Sequence, residues 1–273
     1  MSKDKKKKRF SAYNIIRYII MAVAAVTFTY ASYSLTKSYL EYKVGDDAYD
    51  RMDDLFMEYV EESDDGDDKD NSVSLGGKTE KWVWNFEKMV SMNKQAVGFI
   101  RQDSTKIQYP IMQGTDNEYY LTHLYDGTYN KNGAIFVDYQ IKEGLNAQNT
   151  IVYGHNMWTD TMFGTLVNYK EKAYCEEHPS FDVYIGEKHY KYYAFASFEA
   201  EAVGDRVYQY AFATDEEFES WQREIRSRSY YQVTTVPELT SKDKIMTLST
   251  CTTRNDQSKR VIVMCVRGEE VID

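Results

Sequence analysis

Between Arg17 and Lys37 the chain runs nineteen residues without a charge, from Tyr18 to Thr36. Coiled as a helix, that run spans ~28 Å, close to the ~30 Å hydrocarbon core of a bilayer. No polar stripe interrupts it, as a helix half-buried in a soluble protein would require. Lys3, Lys5, Lys6, Lys7, Lys8 and Arg9 precede it, and Tyr18 and Tyr33 sit near its ends. Interfacial aromatic rings and a basic flank are the marks of a membrane span, and the basic side stays in the cytoplasm. The sequence therefore predicts a cytoplasmic tail at 1–17 and a transmembrane anchor at 18–36, with everything after Lys37 outside. A cleaved signal peptide is the competing reading, because Ala22-Val23-Ala24 resembles a cleavage site. Such a cut leaves only a few apolar residues before it.

The net charge of −10 is an average over unlike parts. Residues 1–40 sum to +7, residues 41–70 to −11 and the remainder to −6. The negative balance beyond the anchor excludes broad nucleic-acid binding, which needs a basic face. Residues 46–62 place Ala48, Tyr49, Met52, Leu55, Phe56, Tyr59 and Val60 at steps of three and four, predicting an amphipathic helix. The following Ser63–Ser72 run opens like a calcium loop. No glutamate closes the twelve-residue spacing and no helix pattern follows at once, so a solvated linker is expected. Residues 37–77 thus read as an acidic helical stalk and linker.

From Lys78 to Asp273 the texture is globular. Eight short runs rich in Val, Ile, Tyr and Phe read as strands: 96–100, 107–112, 134–138, 150–153, 181–185, 190–198, 245–249 and 260–266. Helical patterns fall at Trp82–Met92, Thr161–Tyr169 and Asp215–Arg228. Eight strands with few helices predict a mostly β domain closed as an eight-stranded barrel. Its N-terminal helices and a long helix between late strands complete the expectation.

Three cysteines are too few for a disulfide framework. Cys265 lies in an apolar strand and reads as core; Cys175 lies in a polar stretch. Cys251 ends the strand Ile245-Met246-Thr247-Leu248-Ser249 where the chain turns polar, a reachable place for a thiol. Arg254 and Arg260 lie close enough in sequence to favour thiolate. Of four histidines, His123, His178 and His189 read as surface residues. His155 follows the apolar strand Ile151-Val152-Tyr153 directly, beside Gly154. Cysteine plus histidine at strand ends points to nucleophilic acyl transfer. No His/Cys/Asp spacing resembles a zinc site and no glycine loop for a nucleotide is present, so no metal or cofactor is expected.

These residues resemble a family. Thr247-Leu248-Ser249-Thr250-Cys251 matches the TLxTC motif of sortases, and Arg260 follows nine residues later. Tyr153-Gly154-His155-Asn156-Met157 resembles the histidine motif of the class B form. Gln113–Leu121 and Met162–Val167 are similar to class B segments, as is a long helix near 215–228. The resemblance covers roughly residues 80–273. It implies an extracellular cysteine transpeptidase of Gram-positive bacteria. Such an enzyme cuts a C-terminal sorting signal, NPQTN-like or LPxTG-like, after threonine. It joins that threonine to an amine, usually of a peptidoglycan precursor.

By the resemblance, Cys251 is the nucleophile, His155 the general acid and base, and Arg260 the oxyanion partner. Asn117, Leu121 and Ser249 are implied to line the substrate groove. Thr253 stands two residues after the cysteine, so no acidic third member is expected there. Pilin polymerisation and a membrane-tethered binding module remain alternatives at this stage. An L,D-transpeptidase is disfavoured because its His-Gly-Cys-Arg-like run is missing.

Overall fold

The computed structural model describes residues 12–61, 78–252 and 258–272. The basic cluster 3–9, the linker 63–72, Thr253 and Arg254 lie outside the described residues. The chain divides into two compact units, 1–44 and 45–273. Helix α1 spans Ala12–Phe56. Its apolar stretch is long enough to cross a membrane, and none of that stretch is buried in protein.

The stalk pattern is helical only in part. α1 stops at Phe56, and Met57–Glu61 forms strand β1. β1 pairs antiparallel with β2, Lys78–Trp82. The register sets Glu58 opposite Lys81 and Glu61 opposite Lys78. Met57-Glu58-Tyr59-Val60-Glu61 satisfies a helical and an extended pattern alike, and the partner strand decides between them. The predicted helix at Trp82–Met92 accordingly shortens to α2, Phe86–Met92, capped by Asn85, whose side chain accepts from Lys88 N–H at 2.8 Å.

The eight predicted barrel strands are all present. They are β3 (Ala96–Arg101), β4 (Gln108–Met112), β5 (Ile135–Val137), β6 (Asn149–Tyr153), β7 (Ser180–Ile185), β8 (Lys188–Glu201), β9 (Ile245–Cys251) and β10 (Lys259–Val271). They close a barrel in the order β10-β8-β7-β3-β4-β5-β6-β9, with β9 paired back to β10. β4–β5 and β6–β9 are parallel neighbours; the other pairs are antiparallel.

The segment read as helix at Thr161–Tyr169 is a 3-10 helix, Gly164–Lys170, followed by α3, Lys172–Glu177. Leu166 and Tyr169, three apart, are both fully buried. A three-residue repeat eclipses such side chains on one line, as one buried contact requires. Cys175 on α3 and Cys265 on β10 are both buried.

Helix α4, Asp215–Ser227, lies between β8 and β9 in sequence. Thr214 caps it through Glu217 N–H at 3.2 Å, and the Glu217 carboxylate reaches back to Ala213 N–H at 2.7 Å. Phe218, Trp221 and Ile225 form its buried face and pack with Phe195, Phe198, Ile262 and Met264. Those residues belong to β8 and β10, so α4 covers one stretch of barrel wall. Arg226 and Arg228 do more than complement the helix dipole. Arg226 donates to the carbonyls of Val233, Val236 and Pro237. Arg228 holds Asp205 with two bonds of 2.6 and 2.7 Å.

Candidate active site

Strand alternation decides which side chains share a face. On β9, Ile245 belongs to the apolar layer under α4. Thr247, Ser249 and Cys251 follow it at steps of two and face the same way. On β10, Arg260 stands directly across from Cys251, and Ile262 across from Ser249. Directly opposed residues project to one side of a sheet. Cys251 and Arg260 therefore share a face, at the rim of the wall that α4 covers.

β6 flanks β9 on its other edge. Tyr153 is the register partner of Ser249, and Gly154 N–H donates to the Ser249 carbonyl at 3.2 Å. Carried two residues further, that register sets His155 beside Cys251. Asn156 secures the juncture: its side-chain amide donates to the Cys251 carbonyl at 2.8 Å. The structure thus brings His155, Cys251 and Arg260 to one end of three adjacent strands.

His155 is held from two sides. Its carbonyl accepts from Phe163 N–H at 2.9 Å. Its Nε2 lies 2.8 Å from the Leu121 carbonyl. A carbonyl only accepts, so Nε2 carries a hydrogen and Nδ1 is the ring atom left for proton exchange. Gly154 is required here. A Cβ on it would meet Ile135 Cδ1 at 2.5 Å and Phe163 Cδ2 at 2.6 Å.

The expected groove residues are placed differently from one another. Leu121 ends the 3-10 turn Tyr119–Leu121 and is 39% exposed, with its carbonyl on His155. Asn117 is half-buried and bonds to Asp138 and to Tyr139 N–H. Ser249 is buried, and its Oγ lies 3.3 Å from the hydroxyl of Tyr208. Cys251 is half-buried.

Four further residues belong to this neighbourhood: Tyr153, Tyr208, Asp138 and Asn156. Burial pushes both phenols above their ordinary range. The charge of Asp138 adds to that on Tyr153, and the positive charge of Arg260 pulls both the other way. Arg260 thus acts electrostatically on both tyrosines. Tyr153 and Asn156 lie inside the histidine motif, where only His155 drew attention. Tyr208 gave no signal beyond being one of 25 tyrosines. His123 lies 2.8 Å through Nδ1 from the Tyr119 carbonyl, in the turn that carries Leu121. His189 is not the exposed turn residue its charged neighbours suggest. Its ring stacks on Tyr184 and its Nε2 lies 2.7 Å from Asp182.

Residues 100–268 match the sortase domain family. The chain belongs to the sortase family. Sortase B of Listeria monocytogenes is 34% identical over 194 residues, 71% of this chain and 76% of that protein. Sortase B of Staphylococcus aureus is 31% identical over 183 residues, 66% of this chain and 72% of that one. Among solved structures, sortase B of Bacillus anthracis in complex with AAEK1 covers 85% of this chain and 99% of its own, with a TM-score of 0.68 and 25% identity. The Staphylococcus aureus sortase B–substrate complex covers 67% of this chain and 84% of its own, at a TM-score of 0.62 and 29% identity. A sortase B complexed with triglycine covers 67% of this chain and 85% of its own, at a TM-score of 0.62 and 29% identity. The resemblance carried by the cysteine and histidine motifs is borne out, as is the closed barrel. Sortases are transpeptidases, and this sortase shares the sortase B barrel.

Proposed function

We propose that this sortase cleaves a C-terminal sorting signal after threonine and transfers the acyl group to an amine of a cell-wall precursor. The observation that carries the reading is the convergence of Cys251, Arg260 and His155 at one end of β9, β10 and β6. The substrate complex of the staphylococcal relative supports a peptide donor, and the triglycine complex of a sortase B supports an amine acceptor.

In the first half-reaction the Cys251 thiolate attacks the threonine carbonyl carbon and forms a C–S bond. Arg260 stabilises the resulting oxyanion with charge-assisted hydrogen bonds. The C–N bond then breaks, and His155 gives its proton to the leaving amine. In the second half-reaction the acceptor amine attacks the thioester and His155 takes its proton. The C–S bond breaks, restoring thiolate and imidazolium. His155 has the same task in both directions, at Nδ1, because Nε2 is committed to Leu121.

The apolar helix anchors the domain in the membrane with residues 1–17 in the cytoplasm and the barrel outside. Secreted proteins bearing NPQTN-like or LPxTG-like signals are the donors. The testing experiment offers the purified protein fluorogenic peptides of the NPQTN, LPxTG and PPKTG types with and without an amine acceptor. Cleavage of one class, with product ligated to the amine, is expected. Absence of cleavage of all three, while Cys251 still accepts an alkylating agent, counts against transpeptidation.

A further inference from the structure

Asp138 follows β5 directly and is 7% exposed. A carboxylate so enclosed is costly unless donors answer its lone pairs. Three do. Oδ2 accepts from Asn117 Nδ2 at 2.9 Å and from the Tyr153 hydroxyl at 3.1 Å. Oδ1 accepts from Gln140 N–H at 3.0 Å.

These bonds dictate what their partners can still do. Asn117 Oδ1 accepts from Tyr139 N–H at 3.1 Å, so its amide cannot flip. One of its two N–H groups is committed to Asp138, and the other remains. Tyr153 has a single hydroxyl hydrogen, and Asp138 takes it. What Tyr153 keeps is an acceptor oxygen. Among the described residues neither leftover group meets a protein partner, and both side chains are half-buried. Tyr153 is also the register partner of Ser249, two residues from Cys251, so it lies beside the reacting end of β9.

We propose that Asp138 is a positioning residue that sets the hydrogen-bonding polarity of the substrate groove. Through it Asn117 presents one N–H donor and Tyr153 one oxygen acceptor. The complementary occupant is one residue of an extended chain, whose own C=O and N–H point to the same side. This rests on the transpeptidase reading, because the groove has meaning only for a peptide donor. Asp138 touches neither substrate nor thiol; it acts through Asn117 and Tyr153.

Asp138→Asn tests the idea with nearly the same shape. The asparagine nitrogen, set where Oδ2 was, donates toward Tyr153, which then turns its own hydrogen to the groove. It also leaves the fixed Asn117 amide without its acceptor, so the donor–acceptor pair is lost. Steady-state kinetics on the cleaved peptide should show KM raised about tenfold, the scale of one mismatched hydrogen bond, with kcat changed far less. Tyr153→Phe should raise KM similarly, and the double variant should be no worse than either single one. A second measurement needs no variant at position 138. Peptides carrying one ester in place of an amide, stepped along the segment before the cleaved bond, lack a single N–H. The unaltered enzyme should lose about tenfold in kcat/KM at one position, and Tyr153→Phe should not discriminate there.

An unchanged KM in Asp138→Asn, additive effects in the double variant, or no ester-sensitive position overturns the proposal. Those outcomes are distinct from failure of the transpeptidase reading, in which the unaltered enzyme cleaves no peptide at all. If Asp138→Asn does not fold, the ester series with Tyr153→Phe decides alone.

Discussion

Arg260 is the cross-strand partner of Cys251, opposed to it in the β9–β10 ladder and on the same face. Cys251 is the last residue of β9 and Arg260 the second of β10, so the antiparallel register itself sets their proximity. On the proposed mechanism, Arg260→Ala should lower kcat/KM by about 10²–10³, the scale of one lost oxyanion donor. Arg260→Lys should recover little, because an ammonium does not reproduce the planar fork. Stopped-flow measurement of acyl-enzyme formation checks this. A variant acylating at the original rate would remove Arg260 from the mechanism.

The contact between His155 Nε2 and the Leu121 carbonyl fixes a tautomer. Nitrogen NMR of isotopically labelled histidine in the protein should show, for neutral His155, a protonated Nε2 and an unprotonated Nδ1. The opposite pattern would mean that the proton moves through the other ring nitrogen.

Asp205 and Arg228 clamp the turn that carries Tyr208. Asp205 accepts from both Arg228 guanidinium nitrogens and from Val207 N–H. Burial pushes its carboxyl up, but these bonds prevail and hold it below its ordinary range. A depressed carboxyl stabilises the fold fully above the unfolded value of ~3.9, and that contribution is lost as pH falls through the lower folded value. Arg228→Met should thus cost about 1–3 kcal/mol at neutral pH, and the gap to the unaltered protein should shrink below about pH 4. Thermal unfolding followed from neutral pH down to about pH 2.5 reads this directly. A gap independent of pH would show that packing of Arg228 on the Phe198 ring, 4.4 Å away, carries the effect instead.

Gly164 opens the 3-10 helix that follows the histidine loop. A Cβ there would meet the Met157 carbonyl oxygen at 2.3 Å, a backbone atom that cannot step aside cheaply. Met157 lies two residues after His155. Gly164→Ala should therefore lower kcat/KM by at least about tenfold through displacement of the loop. Its effect on activity should exceed that of Gly186→Ala. Gly186 has φ +59° but open space around it, so strain there stays local. Equal activity losses in the two would separate loop position from catalysis.

The barrel was legible because each strand is a short run of β-branched and aromatic residues between polar turns. Cys251 and His155 were legible because each ends such a run at a change to polar sequence. The α1–β1 boundary was not, since Met57–Glu61 fits both periods and its partner strand lies beyond the acidic segment. The Asp138 hub was invisible for a related reason. Its donors Asn117 and Tyr153 lie 21 and 15 residues away, and they meet it only once β5 pairs with β4 and β6. Tyr208 was missed because nothing local marks it; its bond to Ser249 spans 41 residues.

The central claim is that Cys251 forms a thioester with the threonine of a sorting signal. The most direct measurement is intact mass of the protein mixed with cleavable peptide in the absence of amine, followed by peptide mapping. The account predicts an added mass equal to the acyl fragment ending in threonine, located on Cys251, released by an amine and absent in Cys251→Ala. Cleavage that persists in Cys251→Ala, or an adduct on any other residue, would contradict it.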